Sequence, residues 1–509
     1  MNYLDLFRAT LPETVLEIAA LLVLVVDLGF LRKAALGARA IAASFVGVAG
    51  CLVALWYVPH ALAAGLHAGN DPLLAEGGAA GVAQVAILVL TAITLLLLVE
   101  ENFTKHVGEY VAVVLMAAAG GLIVSAAQDL LVIFIGLELL SLGLYILTAF
   151  AKKSGKSAEA AIKYYLFGGM SAAFLLFGFS YLYGLSGTTN LYRVVSGVFA
   201  SSILGASPLL CLALVMIAVG LGFKVAAVPF HLWAPDAYEG APAPAAAFIA
   251  SVSKVASFGL LISISGAFLC PSLSGDHEIG LLIRTHAVPR FPGGGMQWGI
   301  ILFVLSAVSM VVGNLAALAQ SSVRRLLAYS AVAHAGYMVL GLAFVGWDDV
   351  TTNAILYYIL TYGLTTIGAF DVVSVVERAT GSDRLDSFLG LHKRNPMLAA
   401  VLLVLFLSLA GIPPLVGFWA KFNLFAAVLQ IGAGPVPFAL VALAIAMSAV
   451  SLYYYLQVLK RAYVMPASDE SPIKAGPLTT LVLVAIAAAV VVMGCFPSLL
   501  QNWIASFFA

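Results

Sequence analysis

Four lysines lie inside long apolar stretches of this sequence, where a charged side chain is costly. They are Lys163, Lys224, Lys254 and Lys421. A charge at the centre of a bilayer costs about 3 kcal/mol on insertion scales, so such residues usually face a wet interior, pair with another group or move charge. Together with Glu138, which also lies in an apolar stretch, they predict proton transfer across a membrane.

Glu138 lies about two turns inside the fifth apolar segment, FIGLELLSLGLYIL. Ser141 and Tyr145 follow three and seven residues later and therefore share its helical face. A cation across the helix bundle would stabilise the ionised carboxylate. The alternative interpretation is a neutral glutamic acid that donates one hydrogen bond between helices.

Lys224 precedes Pro229 by five residues in the seventh apolar segment. Proline has no N–H to donate to the carbonyl four residues earlier, so we expect the helix to bend or open just beyond the lysine. Broken backbone at membrane depth is tolerated where it is buried in protein or lines a water-filled cavity. His231, two turns after Lys224, is a candidate for proton relay, with a structural hydrogen bond as the alternative.

Lys254 and Lys421 also follow helix-breaking residues. Lys254 lies in SVSKVASFG, after Pro242, and Lys421 follows GIPP, in which Gly411 and Pro413 break the helix. The seventh and twelfth segments therefore each combine a helix break with one lysine, and they run in opposite directions. That pattern is typical of inverted repeats with a transport path at the repeat interface.

Further polar residues lie in the same segments. His334, in the tenth segment, and the Tyr- and Thr-rich eleventh segment either bridge water between the lysines or bond the helices to one another. Lys163 follows Glu159 by four residues, which favours a local ion pair; a part in proton transfer is the other interpretation. We expect Asp371 to lie only at the membrane interface. The relay candidates are His231, His334, Lys163, Glu159 and Tyr145.

The composition predicts an all-α polytopic membrane protein. Hydrophobic residues make up 63% of the chain and charged residues 9%, and the mean hydropathy is +1.08, far from the composition of a soluble domain. A span needs about 20 mostly apolar residues, which gives about fourteen transmembrane helices. Their approximate bounds are 11–31, 38–58, 82–99, 110–127, 130–150, 158–184, 207–230, 242–268, 297–319, 326–346, 351–376, 397–428, 437–463 and 475–496.

The same pattern divides the chain into four parts. We predict three helices in 1–109, a first five-helix repeat in 110–268, a second, inverted five-helix repeat in 297–463, and a last helix and tail in 475–509. Helices seven and twelve are the broken ones. Of the 24 basic residues, sixteen fall in connections on one side and four on the other. This excess marks the cytoplasmic side and places both termini on the periplasmic side.

The residues give no support to several other functions. The 24 acidic and 24 basic side chains cancel, so net charge indicates no nucleic-acid partner. The four cysteines are scattered and predict neither disulfides nor a metal site. The GLG at 220–222 lies inside an apolar helix and is not a nucleotide loop. We therefore expect no cofactor bound by this chain.

Three segments together resemble the antiporter-like family found in respiratory complex I and in multisubunit cation/proton antiporters. They are FKVAAVPFHLWAPDAYEGAP, LELLSLGLY around Glu138, and GNLAALAQSSVRRLLAYSAVAHAGY. Within the family, EAAIKYYLFGGMSAAFLLFG and LSLAGIPPLVGFWAKF are similar to the N-type branch. The M-type branch usually has glutamate where Lys421 stands.

The resemblance implies a proton-translocating, non-redox membrane-arm subunit of NADH–quinone oxidoreductase. Glu138 and Lys224 would form the charged pair, Lys254 would be the central relay, and Lys421 would exchange protons with one aqueous side. NADH, FMN, iron–sulfur clusters and quinone would bind to partner subunits. The partners would be an M-type antiporter-like subunit, small K-, J- and A-type membrane subunits and lipids, in the bacterial cytoplasmic (inner) membrane.

Two other functions stay open at this point. One is an Mrp-like Na⁺/H⁺ antiporter subunit, although sodium prefers oxygen ligands and the buried charges here are mostly lysines. The other is a structural spacer that has lost pumping. The intact set of Glu138, Lys224, Lys254 and Lys421 argues against a spacer, because idle buried charges are costly.

Overall fold

The computed structural model describes most of the chain. The described residues are 7–8, 10–63, 73–75, 77–101, 103–201, 208–269, 293–345, 349–432, 434–467 and 471–508, with no side chains described at 59–63, 199–201 and 293–294. In the two longest connections between the predicted spans, residues 64–72 and 270–292 lie outside the described residues.

The regular elements of the described residues are helices, as a bilayer demands, because a helix satisfies its backbone groups within one segment. They are α1 (Leu11–Leu24, continued by a π-helical turn, Val25–Phe30), α2 (Leu36–Ala63), α3 (Gly78–Leu98), α4 (Val107–Ala126), α5 (Leu130–Thr148), α6 (Gly155–Ser186), α7 (Leu191–Ser201), α8 (Pro208–Val225), α9 (Trp233–Gly240), α10 (Ala243–Ala250), α11 (Val252–Leu269), α12 (Gly293–Leu318), α13 (Val323–Leu342), α14 (Asp349–Thr380), α15 (Leu391–Arg394), α16 (Pro396–Ala410), α17 (Val416–Ile431), α18 (Pro435–Tyr463), α19 (Pro477–Cys495) and α20 (Pro497–Ala505).

The described residues contain eleven helices long and apolar enough to span a membrane, with α10 and α11 together forming one of them. Two shorter apolar helices, α16 and α17, form the predicted twelfth span. The all-α polytopic class is therefore confirmed. The count of fourteen spans, the four-part division and the inverted repeats stay predictions.

Three spans are interrupted, and each interruption lies close to a lysine. Helix α8 ends one residue after Lys224, ahead of Pro229 as predicted. Helix α16 ends at Ala410 and is followed by Gly411, which has a left-handed backbone; α17 begins five residues after Gly411. The break between α10 and α11, at Ser251, was not predicted, because no proline or glycine marks it.

Pro242 and Pro413 have different local positions. Pro242 precedes the first residue of α10 and separates that helix from α9. Pro413 lies in the turn between α16 and α17. Both prolines therefore mark helix boundaries, where the missing N–H removes no hydrogen bond from a helix interior.

The span that carries Lys254 and the helix α14 beside it run through the middle of the bundle. The span formed by α10 and α11 and the long helix α14 are almost wholly buried, whereas α2, α18 and α19 leave most of their apolar surface uncovered. Side chains such as Trp56, Phe438 and Leu481 are two-thirds exposed, as expected of a surface that faces lipid or a partner subunit. We call the end of the bundle that carries Lys156, Arg325, Arg378 and Arg461 the inner face.

Candidate proton-transfer site

Lys224 and Glu138 form a loose pair between α8 and α5. The Lys224 ammonium donates a hydrogen bond of 2.5 Å to Ser141 Oγ and lies 3.9 Å from Glu138 Oε1. The Ser141 hydroxyl in turn donates to the Leu137 carbonyl oxygen. The lysine is buried, whereas the glutamate side chain is 28% exposed. A hydroxyl is thus the nearer partner of Lys224, and the carboxylate can move away without leaving the lysine unbonded.

Lys254 lies in the first turn of α11, directly after the break at Ser251. Its side chain is 1% exposed, and its Nζ donates a 2.6 Å hydrogen bond to the Ala331 carbonyl oxygen on α13. The nitrogen is 5.7 Å from the centre of the Tyr362 ring on α14, close enough for a cation–π attraction. The hydroxyls of Ser251 and Ser257, three residues before and after Lys254, donate hydrogen bonds to the carbonyl oxygens of Ala247 and Ser253.

Lys421 lies in α17, and the break ahead of that helix supplies one of its acceptors. Its Nζ donates to the carbonyl oxygen of Ala410, the last residue of α16, at 2.9 Å, and to Ser448 Oγ on α18 at 2.8 Å. The last carbonyls of a helix have no partner within it, so the interruption leaves this oxygen free for the lysine. Tyr337 covers the ammonium at 5.5 Å from its ring centre.

His334 lies among hydroxyl groups between the helices that carry Lys254 and Lys421. Its Nδ1 is 2.8 Å from Tyr358 OH and its Nε2 is 3.4 Å from Tyr455 OH. Tyr455 OH also bonds with Ser330 Oγ. A small cavity adjoins the imidazole, and its wall is formed by His334, Tyr358, Thr361, Tyr362, Thr365, Ser408, Leu409, Gly417 and Ala420. Buried polar walls of this kind are where ordered water is found in proteins.

The structure does not bring two of the predicted relay residues into hydrogen bonds with Lys224. His231 is buried in the turn between α8 and α9, and its Nδ1 has no partner among the described residues. Tyr145 is buried edge-on against Tyr164, with ring centres 4.7 Å apart, and its hydroxyl likewise has no partner in the described part of the chain. Their roles stay predictions.

Lys163 differs from the other three lysines and corrects our grouping of the four. Its side chain is 40% exposed. The predicted ion pair with Glu159 is present at 2.7 Å, but Lys163 also lies 2.8 Å from Asp236, a residue that we did not single out. It belongs to a surface network rather than to the membrane interior.

That surface network joins α6, α9 and α13. Arg325 Nη1 lies 2.8 Å from Asp236 Oδ1 and 3.0 Å from Glu239 Oε2, and Lys156 lies 3.1 Å from the other oxygen of Glu239. Burial alone would raise the pKa of Asp236, but hydrogen bonds from Lys163 and Arg325 outweigh it and hold the pKa below its ordinary value. We call this set the inner-face charge network; its members are Lys156, Glu159, Lys163, Asp236, Glu239 and Arg325.

Asp371 is 5% exposed and is buried among the helices that pack against α14. Its position at the depth of the membrane interface stays a prediction. Sequence reasoning also missed Ser448 and Tyr455 as partners of Lys421 and His334, and nothing in the local sequence pointed to them. Asp236 and Glu239 did carry a signal, because two carboxylates directly follow a broken apolar helix in PDAYEG.

No group of three or more His, Cys, Asp or Glu side chains suited to a metal ion occurs among the described residues. The buried polar side chains around Lys254, His334 and Lys421 are instead lysines, hydroxyls and an imidazole. These groups can bind, release and pass protons.

Comparison with known proteins gives a consistent result. The model of the NADH:quinone oxidoreductase/Mrp antiporter transmembrane family matches residues 127–272 and 273–448. NADH-quinone oxidoreductase subunit N 2 of Acidobacterium capsulatum is 46% identical over 99% of both chains.

Solved structures agree with these sequence matches. A chain of respiratory complex I from Thermus thermophilus is 32% identical, with a TM-score of 0.76 over 96% of this chain and 98% of that one. A chain of the Mrp complex from Dietzia sp. has the same TM-score, but it is 21% identical and this chain covers 51% of it. The likeness to Mrp therefore shows the fold alone.

Proposed function

Because the chain belongs to the NADH:quinone oxidoreductase/Mrp antiporter transmembrane family, we propose that it moves protons as a non-redox subunit of an NADH–quinone oxidoreductase. It is an antiporter-like membrane-arm subunit of that complex, as its relatives and their structures indicate. NADH oxidation and quinone reduction, with FMN and iron–sulfur clusters, would take place in partner subunits. The names of the relatives and the absence of redox motifs from this sequence support that division.

One observation carries the proposal: three lysines are buried at three helix interruptions, and their hydrogen bonds run to neutral oxygens. Lys254 bonds with a carbonyl and Lys421 with a carbonyl and a hydroxyl, while Lys224 has a hydroxyl nearer than its carboxylate. A neutral amine still donates to such acceptors, so each lysine can lose a proton without losing its partners. Interrupted helices at membrane depth are typical of transport paths.

In the proposed mechanism, the charge of Glu138 controls the proton on Lys224. When Glu138 is close, its negative charge favours the ammonium form of Lys224. When a neighbouring subunit draws that charge away, Lys224 releases its proton toward Lys254, which takes it up as an ammonium. The proton then passes by water, His334 and the tyrosine hydroxyls around it to Lys421, which exchanges it with one aqueous side.

We also propose the setting of the subunit. The membrane would be the bacterial cytoplasmic membrane, with the inner face toward the cytoplasm and both termini on the periplasmic side, because basic connections favour the cytoplasm. Neighbours would be an M-type antiporter-like subunit and the small K-, J- and A-type membrane subunits. The apolar surfaces of α2, α18 and α19 would contact lipid or these partners.

The test is NADH-driven proton uptake in inverted membrane vesicles. We expect Lys224→Ala and Glu138→Gln, at matched assembly of the complex, to lose pumping and quinone reductase activity while NADH–ferricyanide activity is kept. Lys152→Ala is the matched control, because Lys152 is an exposed lysine in a connection and its loss should change nothing. Normal pumping after Lys224→Ala would indicate that the buried lysines have only a structural role and would favour the spacer interpretation.

A further inference from the structure

Three buried polar atoms without a hydrogen-bond partner lie around the inner half of α14. They are Thr366 Oγ1, Asp371 Oδ2 and, from α9, Tyr238 OH; none has a partner among the described residues. The side chains are 2%, 5% and 0% exposed, respectively. Leaving such a group unbonded costs about 1–3 kcal/mol, so buried polar groups are nearly always bonded to protein or to ordered water. Three of them around one stretch of helix indicate bound water.

Toward the inner face, Asp371 lies one helical turn from a group of charged residues, Glu100, Glu101 and Arg378, which we call the rim. Ser374 Oγ donates a 2.7 Å hydrogen bond to Glu101 Oε1, and Arg378 Nη2 lies 3.6 Å from the same carboxylate oxygen. The charged groups that act on Asp371 are Glu101, Arg378 and Glu100. Arg378 is 37% exposed and Glu101 only 6%, so the rim leads from solvent into the protein.

The other carboxylate of this rim has a structural task. Glu100 accepts hydrogen bonds from the backbone N–H groups of Leu478 and Thr479, at 3.1 and 3.0 Å, and thereby caps α19. Glu101 is paired with Arg378 and bonded by Ser374. Of the three acids Glu100, Glu101 and Asp371, it is Asp371 that keeps a buried carboxylate oxygen without a hydrogen-bond partner among the described residues.

On the other side, the same helix leads to Lys254. Tyr362 lies nine residues before Asp371 on α14, about 13 Å along the helix axis at 1.5 Å per residue. Its ring is 5.7 Å from Lys254 Nζ, and Thr366 lies between Tyr362 and Asp371. Tyr238 reaches the same region, because its ring packs edge-on against Phe370 with centres 5.5 Å apart. The hydroxyls of Thr366 and Tyr238 thus lie on the Tyr362 side of α14, between Tyr362 and Asp371 along the helix axis. Asp371 projects from the adjoining side, about 100° around the helix from Phe370.

We propose that Asp371 is a further proton-carrying residue of this subunit, which takes protons from the inner face and passes them to Lys254 through water bound by Thr366 and Tyr238. The step is a proton transfer without redox chemistry. The O–H bond of the carboxylic acid breaks and an N–H bond forms on neutral Lys254, with each intervening water gaining one proton and losing another. A proton from the cytoplasmic solution, relayed by water at the Glu101–Arg378 rim, then protonates the carboxylate again. The proposal rests on the proposed function and gives it a point of proton entry.

The first experiment separates proton carriage from a structural role. Asp371→Asn keeps the size and hydrogen-bonding capacity of the side chain but cannot exchange a proton, and Asp371→Glu can. At matched assembly, we expect Asn to lower NADH-driven proton uptake at least tenfold and Glu to restore a large part of it. Asp386→Asn is the control, because Asp386 is 76% exposed on the same face. Equal loss in the Asn and Glu variants would indicate packing and overturn the proposal.

The outcome also separates this proposal from the proposed function. If Asp371→Asn pumps normally while Lys224→Ala does not, protons enter elsewhere and the proposed function stands. If both variants pump normally, the proposed function fails and the uptake residue fails with it.

The second experiment tests for water directly. In the assembled complex with its native cysteines changed to serine, a charged thiol reagent is applied to Thr366→Cys and Asp371→Cys in inverted vesicles, which expose the cytoplasmic side. We expect both to react from that side, with Ala369→Cys as the control, because Ala369 is on the same helix and 0% exposed. No reaction at either position, in a complex that still assembles, would show a dry interior and contradict the proposal.

Discussion

A buried lysine that bonds with carbonyls and hydroxyls differs from one held by a carboxylate. A carboxylate stabilises the ammonium form and opposes deprotonation, whereas a neutral oxygen accepts an N–H from the amine as well. Lys254 and Lys421 bond only with neutral oxygens in the described structure. Of the three buried lysines, only Lys224 has a glutamate within 4 Å among the described residues. A change in the charge or position of Glu138 can therefore control proton release from Lys224, whereas Lys254 and Lys421 have only neutral acceptors in the described structure.

The substitution Lys254→Arg tests whether Lys254 carries protons or only supplies a fixed positive charge. Arginine keeps the positive charge but is not deprotonated in proteins. We expect Lys254→Arg to lose NADH-driven proton uptake as completely as Lys254→Met does. Uptake by inverted vesicles measures this, with Lys152→Arg as the surface control. Pumping at the wild-type rate with arginine would show that Lys254 contributes charge alone.

The helix interruptions depend on close contacts between helix halves. A Cβ at Gly417, the second residue of α17, would lie 1.8 Å from the Ser408 carbonyl oxygen on α16. Gly411 ends α16 with φ +88°, a left-handed conformation that glycine adopts without steric cost. These two glycines let the start of α17 lie directly against the last turn of α16, and this contact brings Lys421 to the carbonyl oxygen of Ala410.

Gly417→Ala tests this packing. Because the methyl group would overlap backbone, the halves of the twelfth span must separate, at a cost of about 1–3 kcal/mol. We expect the heat-inactivation temperature of the purified complex to fall by several degrees and proton uptake to fall with it. Gly169→Ala on α6 is the matched control, because a Cβ there meets nothing within 4 Å. An unchanged inactivation temperature in the Gly417 variant would show that the contact is not needed.

Across the whole molecule, the inner-face charge network ties the first predicted repeat to the second. Arg325 of α13 bonds with Asp236 and Glu239 of α9, and Lys163 of α6 bonds with Asp236. These contacts attach the connection between the broken seventh span and the eighth to α6 of the first predicted repeat and to α13 of the second. The network is partly exposed, so salt screens it and each pair contributes little alone.

The stability contribution of Asp236 should depend on pH in one direction. Its pKa is lower in the folded chain than the ordinary value, which is about 3.9. The contribution is therefore present above about pH 4 and is lost as the pH falls through the folded value. We expect the temperature of heat unfolding in detergent to be lower for Asp236→Asn than for wild type, by an amount that stays constant from pH 5 to 7.

Below about pH 4 the difference in unfolding temperature should narrow, because the unfolded chain binds a proton at Asp236 more readily than the folded chain does. Below the folded pKa both variants carry an uncharged group at position 236. Asp386→Asn, at an exposed position, controls for a general effect of removing an acid. A difference that widens toward low pH would mean that the pKa shift has the opposite sign.

Much of the fold could be predicted from the sequence, because membrane spans and helix ends depend on residues that are close together along the chain. Apolar run length gives spans, and the prolines and glycines at 229, 242, 411 and 413 mark helix ends because they act on their own backbone. Only the tertiary structure supplied the partners: Lys224 meets Ser141 from 83 residues away and Lys254 meets Ala331 from 77. It also showed Lys163 to be exposed and Asp371 to be buried. Exposure and hydrogen bonding depend on which helices pack together, and an apolar helix shows no preferred face from which that packing could be predicted.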